Sequence, residues 1–308
     1  TVGAVLTAAQ AVWTFANDIE ITLEANPTSV EAHRFAAYRD AGVNRISMGI
    51  QAFNDKDLRA LGRLHSATEA FRAFDVARGL FPRVSFDLIY ARQHQSLSDW
   101  RSELRQALTM AVDHLSLYQL TVEPETAFGA RYAAGKLRGL PDEDLSADMY
   151  ALTQDLCDAA GFAAYEVSNH AEAGQESRHN LIYWQAGDYA GIGPGAHGRL
   201  TLDGRRLATE TPLAPGAWLD RVESTGVGEL PAEALSAQAQ RAEYLLMGLR
   251  LAGGVDLNRL GLLLDDELIN RVNDLEKSGF VCRRGSQLVV LPVARPVLNA
   301  VLTRLLTD

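Results

Sequence analysis

Cysteine is scarce in this chain, and its scarcity removes several chemistries. Among 308 residues only Cys157 and Cys282 carry a thiol, and no Cys-x-x-Cys pair occurs. A disulfide-stapled secreted scaffold needs a denser set, so the two thiols read as reduced side chains of a cytosolic protein. Long apolar runs are missing as well. No stretch reaches the roughly 18 residues that a membrane-spanning helix requires, and no basic segment precedes an apolar run at the N-terminus. Positive charge is outweighed, with 29 Lys and Arg against 39 Asp and Glu and a formal net charge of -10. Broad electrostatic capture of nucleic acid or of an anionic membrane is therefore not expected. The expected compartment is the cytoplasm, with no nucleic-acid partner and no integral membrane segment.

What is present is a globular composition, 47% apolar, in a chain long enough for two cores. The expected division is 1–230 and 231–308. The chain opens at Thr1 inside a helical apolar pattern (Val2, Val5, Leu6, Ala9, Val12, Trp13) and reads as cut into rather than begun. The stretch Asn44 to Phe53 then alternates with period two: Ile46, Met48 and Ile50 share one face, and Arg45, Ser47, Gly49 and Gln51 share the other. A strand with one small, polar face between helical patterns is unlike the all-apolar strand of an ordinary buried parallel sheet, and that face is expected to line a cavity. Three more strands repeat the arrangement: Ile19 to Leu23 ending at Glu24, Val84 to Ile89 containing Asp87, and Leu115 to Leu120 running into Thr121. Capping-box spacings fall between them at Thr28 with Glu31 and at Ser66 with Glu69, and a further helix is expected near Ser98. Strands alternating with helices give βαβ units and a parallel sheet, with function at the C-terminal strand ends.

A long helix from about Ala147 stops at Gly161, a short strand is expected at Tyr165 to Asn169, and a polar loop leads into His179-Asn180-Leu181-Ile182-Tyr183-Trp184. Gly193, Gly195 and Gly198 match G-x-G-x-x-G, but a dinucleotide fingerprint needs a strand before it and a helix after it. Here Arg199 to Leu202, Asp203-Gly204 and Arg205 to Ala208 read as a β-hairpin instead. Beyond Pro231 the expectation is a helix at 237–251, helices through 256–277, a hairpin turning at Arg283-Arg284-Gly285 and a last helix at 297–306. That order is winged-helix-like. Two arginines on an acidic chain neutralise little phosphate, which favours a structural role over DNA binding.

Glu20-Ile21-Thr22-Leu23-Glu24-Ala25-Asn26-Pro27, Gly42 to Gln51, Asp87-Leu88-Ile89-Tyr90, His114 to Thr121 and His179 to Trp184 together carry a resemblance over nearly the whole chain. The chain resembles the radical S-adenosylmethionine family of oxygen-independent coproporphyrinogen III oxidase-like proteins, and its His-Asn-x-x-Tyr-Trp run is similar to that of the heme chaperone branch. The resemblance implies an α/β fold, a partial (β/α)6 barrel lacking its first strands, followed by a winged-helix-like module. It implies S-adenosylmethionine at Glu24, Gln51, Arg63, Asp87 and Thr121, and heme at His179, Asn180, Tyr183 and Trp184, with a heme-acceptor protein as partner. The residue types suit a zwitterionic sulfonium, which needs carboxylate, guanidinium and polar partners. The plain alternatives are that Arg63 pairs with a surface carboxylate, that Gln51 caps a strand, and that Tyr183 and Trp184 are a hydrophobic anchor beside a hydrogen-bonded His179.

The sequence also departs from the family. The [4Fe-4S] cysteines of the family pattern Cys-x3-Cys-x2-Cys lie N-terminal to where this sequence starts, and neither Cys157 nor Cys282 replaces three clustered thiolates. The barrel sheet is therefore expected to show an open edge. The loop 91–96 reads Ala-Arg-Gln-His-Gln-Ser where the family has a Gly-Leu-Pro-Gly-Gln-Thr-like sequence, and 291–295 departs from a Leu-Thr-x-x-Gly-Arg-like pattern. Three functions compete: a heme chaperone, a coproporphyrinogen III oxidase, and an inactive fragment of either. The absent cysteines weigh against the oxidase, and a histidine beside aromatic side chains, suited to axial ligation and stacking, favours the chaperone.

Overall fold

The computed structural model describes residues 1–29 and 32–306 and resolves two compact units, Thr1–Glu176 and Ser177–Asp308. The first begins with α1 (Val2–Val12), β1 (Thr22–Ala25), α2 (Ala32–Asp40), β2 (Arg45–Gln51), α3 (Asp55–Ala60) and α4 (Ala67–Leu80). It continues through β3 (Arg83–Tyr90), α5 (Leu97–Met110), β4 (His114–Gln119), α6 (Ala127–Ala133), α7 (Glu143–Ala159), β5 (Ala163–Ala164) and β6 (Asn169–Ala171). The sheet order is β1-β2-β3-β4-β6-β5. Strands β1 to β4 are parallel, and β6 runs antiparallel to β4. This is the α/β architecture expected, with β1 at one end of the sheet.

Alternation decides which face is buried. Ile46, Met48, Ile50, Val84, Phe86, Leu88, Leu115 and Leu117 all lie in one core with Phe74 of α4, Trp100 of α5 and Met149 of α7. Trp100 stacks on Tyr90 with ring centroids 5.0 Å apart and donates its indole N–H to Thr153 Oγ1 at 2.8 Å. Burial of such a set is the main stabilising term of the unit. Ser66 and Glu69 form the expected capping box of α4. The box expected at Thr28 and Glu31 falls on Glu31, outside the described residues.

Three local expectations shift. β1 starts at Thr22 rather than Ile19, because the Asn44 amide bridges the approach, accepting from Ile21 N–H at 2.8 Å and donating to the Ile19 carbonyl at 2.7 Å. Helix α5 is capped at Ser96 by a box with Asp99, ahead of Ser98. Of the strand expected at Tyr165 to Asn169, 165–168 form a bend between β5 and β6, and Asn169 begins β6. There Glu166 Oε1 accepts from Ser168 N–H at 2.9 Å and Asn169 Nδ2 at 2.6 Å, folding the chain back on itself.

The second unit holds α8 (Arg178–Trp184), β7 (His197–Leu202), β8 (Arg205–Glu210), α9 (Pro215–Thr225), β9 (Glu233–Ala234) and α10 (Ala237–Gly248). It ends with β10 (Val255–Asp256), α11 (Asp266–Lys277), β11 (Val281–Arg284), β12 (Gln287–Val290) and α12 (Leu298–Leu306). The Gly-rich run leads into the hairpin β7–β8, whose turn residues Asp203 and Gly204 have φ of 50° and 73°, as a tight right-twisted hairpin requires. Helix α11 and the sheet β10-β12-β11 precede α12. A 3-10 segment, Leu257–Leu263, broken at Gly261, stands where a regular helix was expected. Arg283 at the hairpin binds Glu276 at 2.6 Å and Asn273 at 2.7 Å.

The compact units divide at Glu176 and Ser177, whereas the sequence reading divides the chain at 230. Ion pairs explain the difference: Glu243 of α10 receives Arg199 of β7 at 2.7 Å and Arg206 of β8 at 3.1 Å, which ties 197–210 to the C-terminal elements. No helix among the described residues is long and apolar enough to cross a membrane.

Candidate functional site

The second face of the parallel sheet is mostly polar, with Ile89 of β3 an apolar exception at its C-terminal end. Registry pairs Thr22 with Arg45, Glu24 with Ser47, Ser47 with Ser85, and Asp87 with Ser116, and paired residues of parallel strands point to one side. At the N-terminal strand ends, Arg45 Nη1 meets Glu20 Oε1 at 3.3 Å, and Arg83 meets Glu20 Oε2 and Asp113 Oδ2, each at 2.8 Å. Beside them His114 Nε2 lies 2.9 Å from the Tyr165 hydroxyl, its imidazole held well below the usual range by burial and by the two arginines.

The C-terminal ends differ. Asp87 is partly buried, and desolvation pushes its carboxyl from 3.8 up to about 7; hydrogen bonds from Ser116 and Ser47 act against that rise and Glu24 adds to it. Glu24 is exposed at the end of β1. Tyr118, two residues beyond Ser116 on β4, has its hydroxyl pushed up to about 12 by burial, with Asp87 contributing. Thr22 Oγ1 is buried with no hydrogen-bond partner among the described residues. Asp87 and Glu24 thus sit together among hydroxyls, an arrangement that favours a cation. Ser47, Ser116 and Tyr118 belong with them, and their parity with Asp87 and Gln51 was the signal that could have named them.

Gln51 reaches this face by an irregular route. Met48 pairs with Phe86 but Gln51 pairs with Leu88, so three steps on β2 match two on β3. Such a bulge would turn the side chain away. Gln51 instead adopts φ 75°, and a Cβ built on Gly49 would lie 2.9 Å from its Nε2, so the amide occupies the space that glycine leaves on the polar face. The remaining two candidates are not brought in. Arg63 is exposed in the turn after α3, and among the described residues its side chain makes no hydrogen bond or ion pair. Thr121 is exposed past β4, its hydroxyl donating to the Gln119 carbonyl at 3.3 Å.

His179, Asn180, Tyr183 and Trp184 all lie on the helix α8. Helical spacing puts His179 and Tyr183 on one side, and Asn180 and Trp184 on the next. His179 Nδ1 is 3.0 Å from Ser177 Oγ. Tyr183 meets Tyr189 edge to face with centroids 4.6 Å apart. Arg250 lies over the Trp184 ring, 5.0 Å from its centroid, while the indole N–H is buried without an acceptor among the described residues. His197, the other histidine of this unit, is exposed on β7 with Glu210 3.7 Å away.

A three-thiolate cluster does not fit the cysteines present. Cys157 is buried on α7, its thiol pushed up to about 12 by burial, and Cys282 stands alone on β11. Among the described residues no group of three His, Cys, Asp or Glu could hold a metal ion.

Comparison with known proteins bears on the family and the fold. The radical SAM superfamily model matches residues 3–107. The chain is similar to "Radical S-adenosyl methionine domain-containing protein 1, mitochondrial" of Mus musculus, 46% identical over 261 residues, covering 83% of this chain and 59% of that protein. It is also 34% identical over 267 residues to "Heme chaperone HemW" of Bacillus subtilis, covering 85% of this chain and 69% of that one. Among solved structures, the coproporphyrinogen III oxidase HemN of Escherichia coli superposes with a TM-score of 0.79 at 19% identity, over 99% of this chain and 74% of that chain. That likeness shows the fold. The chain spans less than two thirds of the length of the first curated relatives it matches, 59% for the mouse protein.

Proposed function

Because the chain belongs to the radical SAM superfamily, in its HemN-like heme chaperone family, we propose that it binds heme as cargo and passes it to an acceptor protein. The same reading gives S-adenosylmethionine to the polar sheet face, with the cytoplasm as the proposed compartment. The observation that carries the reading is α8, where His179 and Tyr183 lie one turn apart in a chain whose relatives include a named heme chaperone. A neutral imidazole donates to heme iron, and aromatic surface a turn away packs against a macrocycle. Ser177 against Nδ1 orients the ring, which is how a histidine ligand is commonly aimed. Asn180 and Trp184 supply the adjoining polar and aromatic surface.

On the sheet, Asp87 and Glu24 would face the cationic sulfonium and ammonium of S-adenosylmethionine, and the Gln51 amide and the Ser47 and Ser116 hydroxyls its polar atoms. The bound molecule would bring a permanent positive charge to the partly buried Asp87 carboxyl, which desolvation pushes up to about 7. The exposed Arg63 and Thr121 are proposed to contribute only at its rim. The family implies a [4Fe-4S] cluster, but the two isolated cysteines do not supply it, so no oxidase step is assigned to these residues.

Heme titration tests the reading. The parent is expected to give a Soret shift that His179→Ala weakens and His197→Ala leaves alone. The reverse pattern moves the ligand to His197, and a parent that leaves the heme spectrum unchanged ends the proposal.

A further inference from the structure

Gln51 occupies a backbone conformation that an L side chain rarely adopts, φ 75°, at the one bulge between β2 and β3. Something must hold it there. His65, 4% exposed, places Nε2 3.0 Å from the carbonyl oxygen of Ile50, the peptide entering Gln51. A carbonyl only accepts, so the ring is the tautomer with the proton on Nε2 and donates it. On the far side the Phe53 N–H donates to Glu103 Oε1 at 2.8 Å, and Ala52 N–H turns back to the Ile50 carbonyl at 3.0 Å. Neither clamp is loose. His65 immediately precedes Ser66, the capping residue of α4, and Glu103 is gripped by Arg92 at 2.6 Å and Gln95 at 3.2 Å.

We propose that His65, with Glu103 as a second clamp, is a positioning residue that holds Gln51 in its left-handed conformation, so that the amide lies over Gly49 on the polar face. His65 itself is buried and bonded to backbone, and it acts through Gln51. Its consequence for cofactor affinity rests on the reading of that face as the S-adenosylmethionine site. The geometric consequence does not.

The contact between the Gln51 side-chain amide protons and the Gly49 α protons, read as a nuclear Overhauser effect in selectively labelled protein, tests the geometry without any ligand. The effect is expected in the parent and in His65→Gln, whose amide nitrogen takes the place of Nε2, and is expected to vanish in His65→Leu. Persistence in His65→Leu, or loss in His65→Gln as well, overturns the proposal. If His65→Leu does not fold, His65→Asn, whose amide stops short of the Ile50 carbonyl, carries the same comparison. Calorimetry with S-adenosylmethionine is expected to show affinity falling about tenfold in His65→Leu and recovering in His65→Gln, the scale of one lost polar contact. A parent that shows the contact yet binds no S-adenosylmethionine overturns the cofactor reading and leaves the positioning role standing.

Discussion

At the N-terminal ends of the parallel strands, Arg45 and Arg83 meet Glu20 and Asp113 in ion pairs of 2.8 to 3.3 Å; at the C-terminal ends of the same strands, Asp87 and Glu24 lie together with serine hydroxyls, and among the described residues neither makes an ion pair. The backbone follows the same division. Of the five non-glycine residues with positive φ among the described residues, Gln51, Ala91 and His94 cluster at or just after the ends of β2 and β3. One end of the sheet therefore has its charges paired, while the other keeps two neighbouring carboxyl groups without an ion-pair partner among the described residues, beside strained loops. Such features at strand ends are what the proposed S-adenosylmethionine site would call for.

The paired end should be the costlier to disturb. Arg45 is 1% exposed, and Arg45→Ala removes one of the two arginines on Glu20; the loss is expected to be about 3 kcal/mol, the scale for breaking a buried pair. Urea denaturation reads it as a lower midpoint at constant slope. A loss no larger than that of an exposed pair would break the comparison at its strong end. The open end should respond with the opposite sign. A carboxyl raised from 3.8 to about 7 by folding contributes stability that is fully present below pH 3.8 and lost as pH rises toward 7, because the unfolded chain releases the proton first. Asp87→Asn removes that loss. Its stability relative to the parent is expected to be near zero at pH 4 and to grow to about 2 kcal/mol at pH 8, discounted for the partial exposure of the group. A difference that stays flat between those pH values would show that Asp87 is not held neutral by burial. The same variant should bind S-adenosylmethionine less well, although it is the more stable protein.

Much of this arrangement was legible because side-chain parity along a strand is local. The alternation of Ser47 and Gly49 with Met48 and Ile50 reveals the polar face without knowledge of any partner strand. What joins distant segments was not. Glu20 reaches Arg45 and Arg83 across 25 and 63 residues, and nothing in either neighbourhood announces the other. The bulge at Gln51 was hidden too, since the residue keeps its face only through a positive φ. Arg63 was assigned by resemblance alone, and its side chain stands in solvent. The sequence assigns no element to 178–184, because the seven residues of α8 are too few to display a helical period. The division at Glu176 was masked by Pro231, a conspicuous breaker with less structural weight than the two arginines that converge on Glu243.

The smallest expected effect probes strain rather than charge. The loop 91–96 puts Ala91 at φ 57° and His94 at φ 60°, the two places where the family's pattern reads glycine. It is held down by Arg92, which bonds Asp57 at 2.8 Å, Glu103 at 2.6 Å and the Ile89 carbonyl at 2.5 Å, and it walls a cavity of about 440 Å³ with Phe53, Lys56 and Gln106. An alanine in the left-handed region costs about 1 kcal/mol, and glycine gives back part of that through the greater freedom of the unfolded chain, so Ala91→Gly should stabilise by about 0.5 kcal/mol. His94→Gly should not. The His94 ring lies against Gly139, close enough that a Cβ built there would be 2.1 Å from its Cε1, and truncation forfeits that packing along with the strain. Paired urea midpoints decide the matter: a gain in Ala91→Gly with none in His94→Gly supports a strained rim, whereas a loss in Ala91→Gly would mean that the loop conformation carries no strain for glycine to relieve.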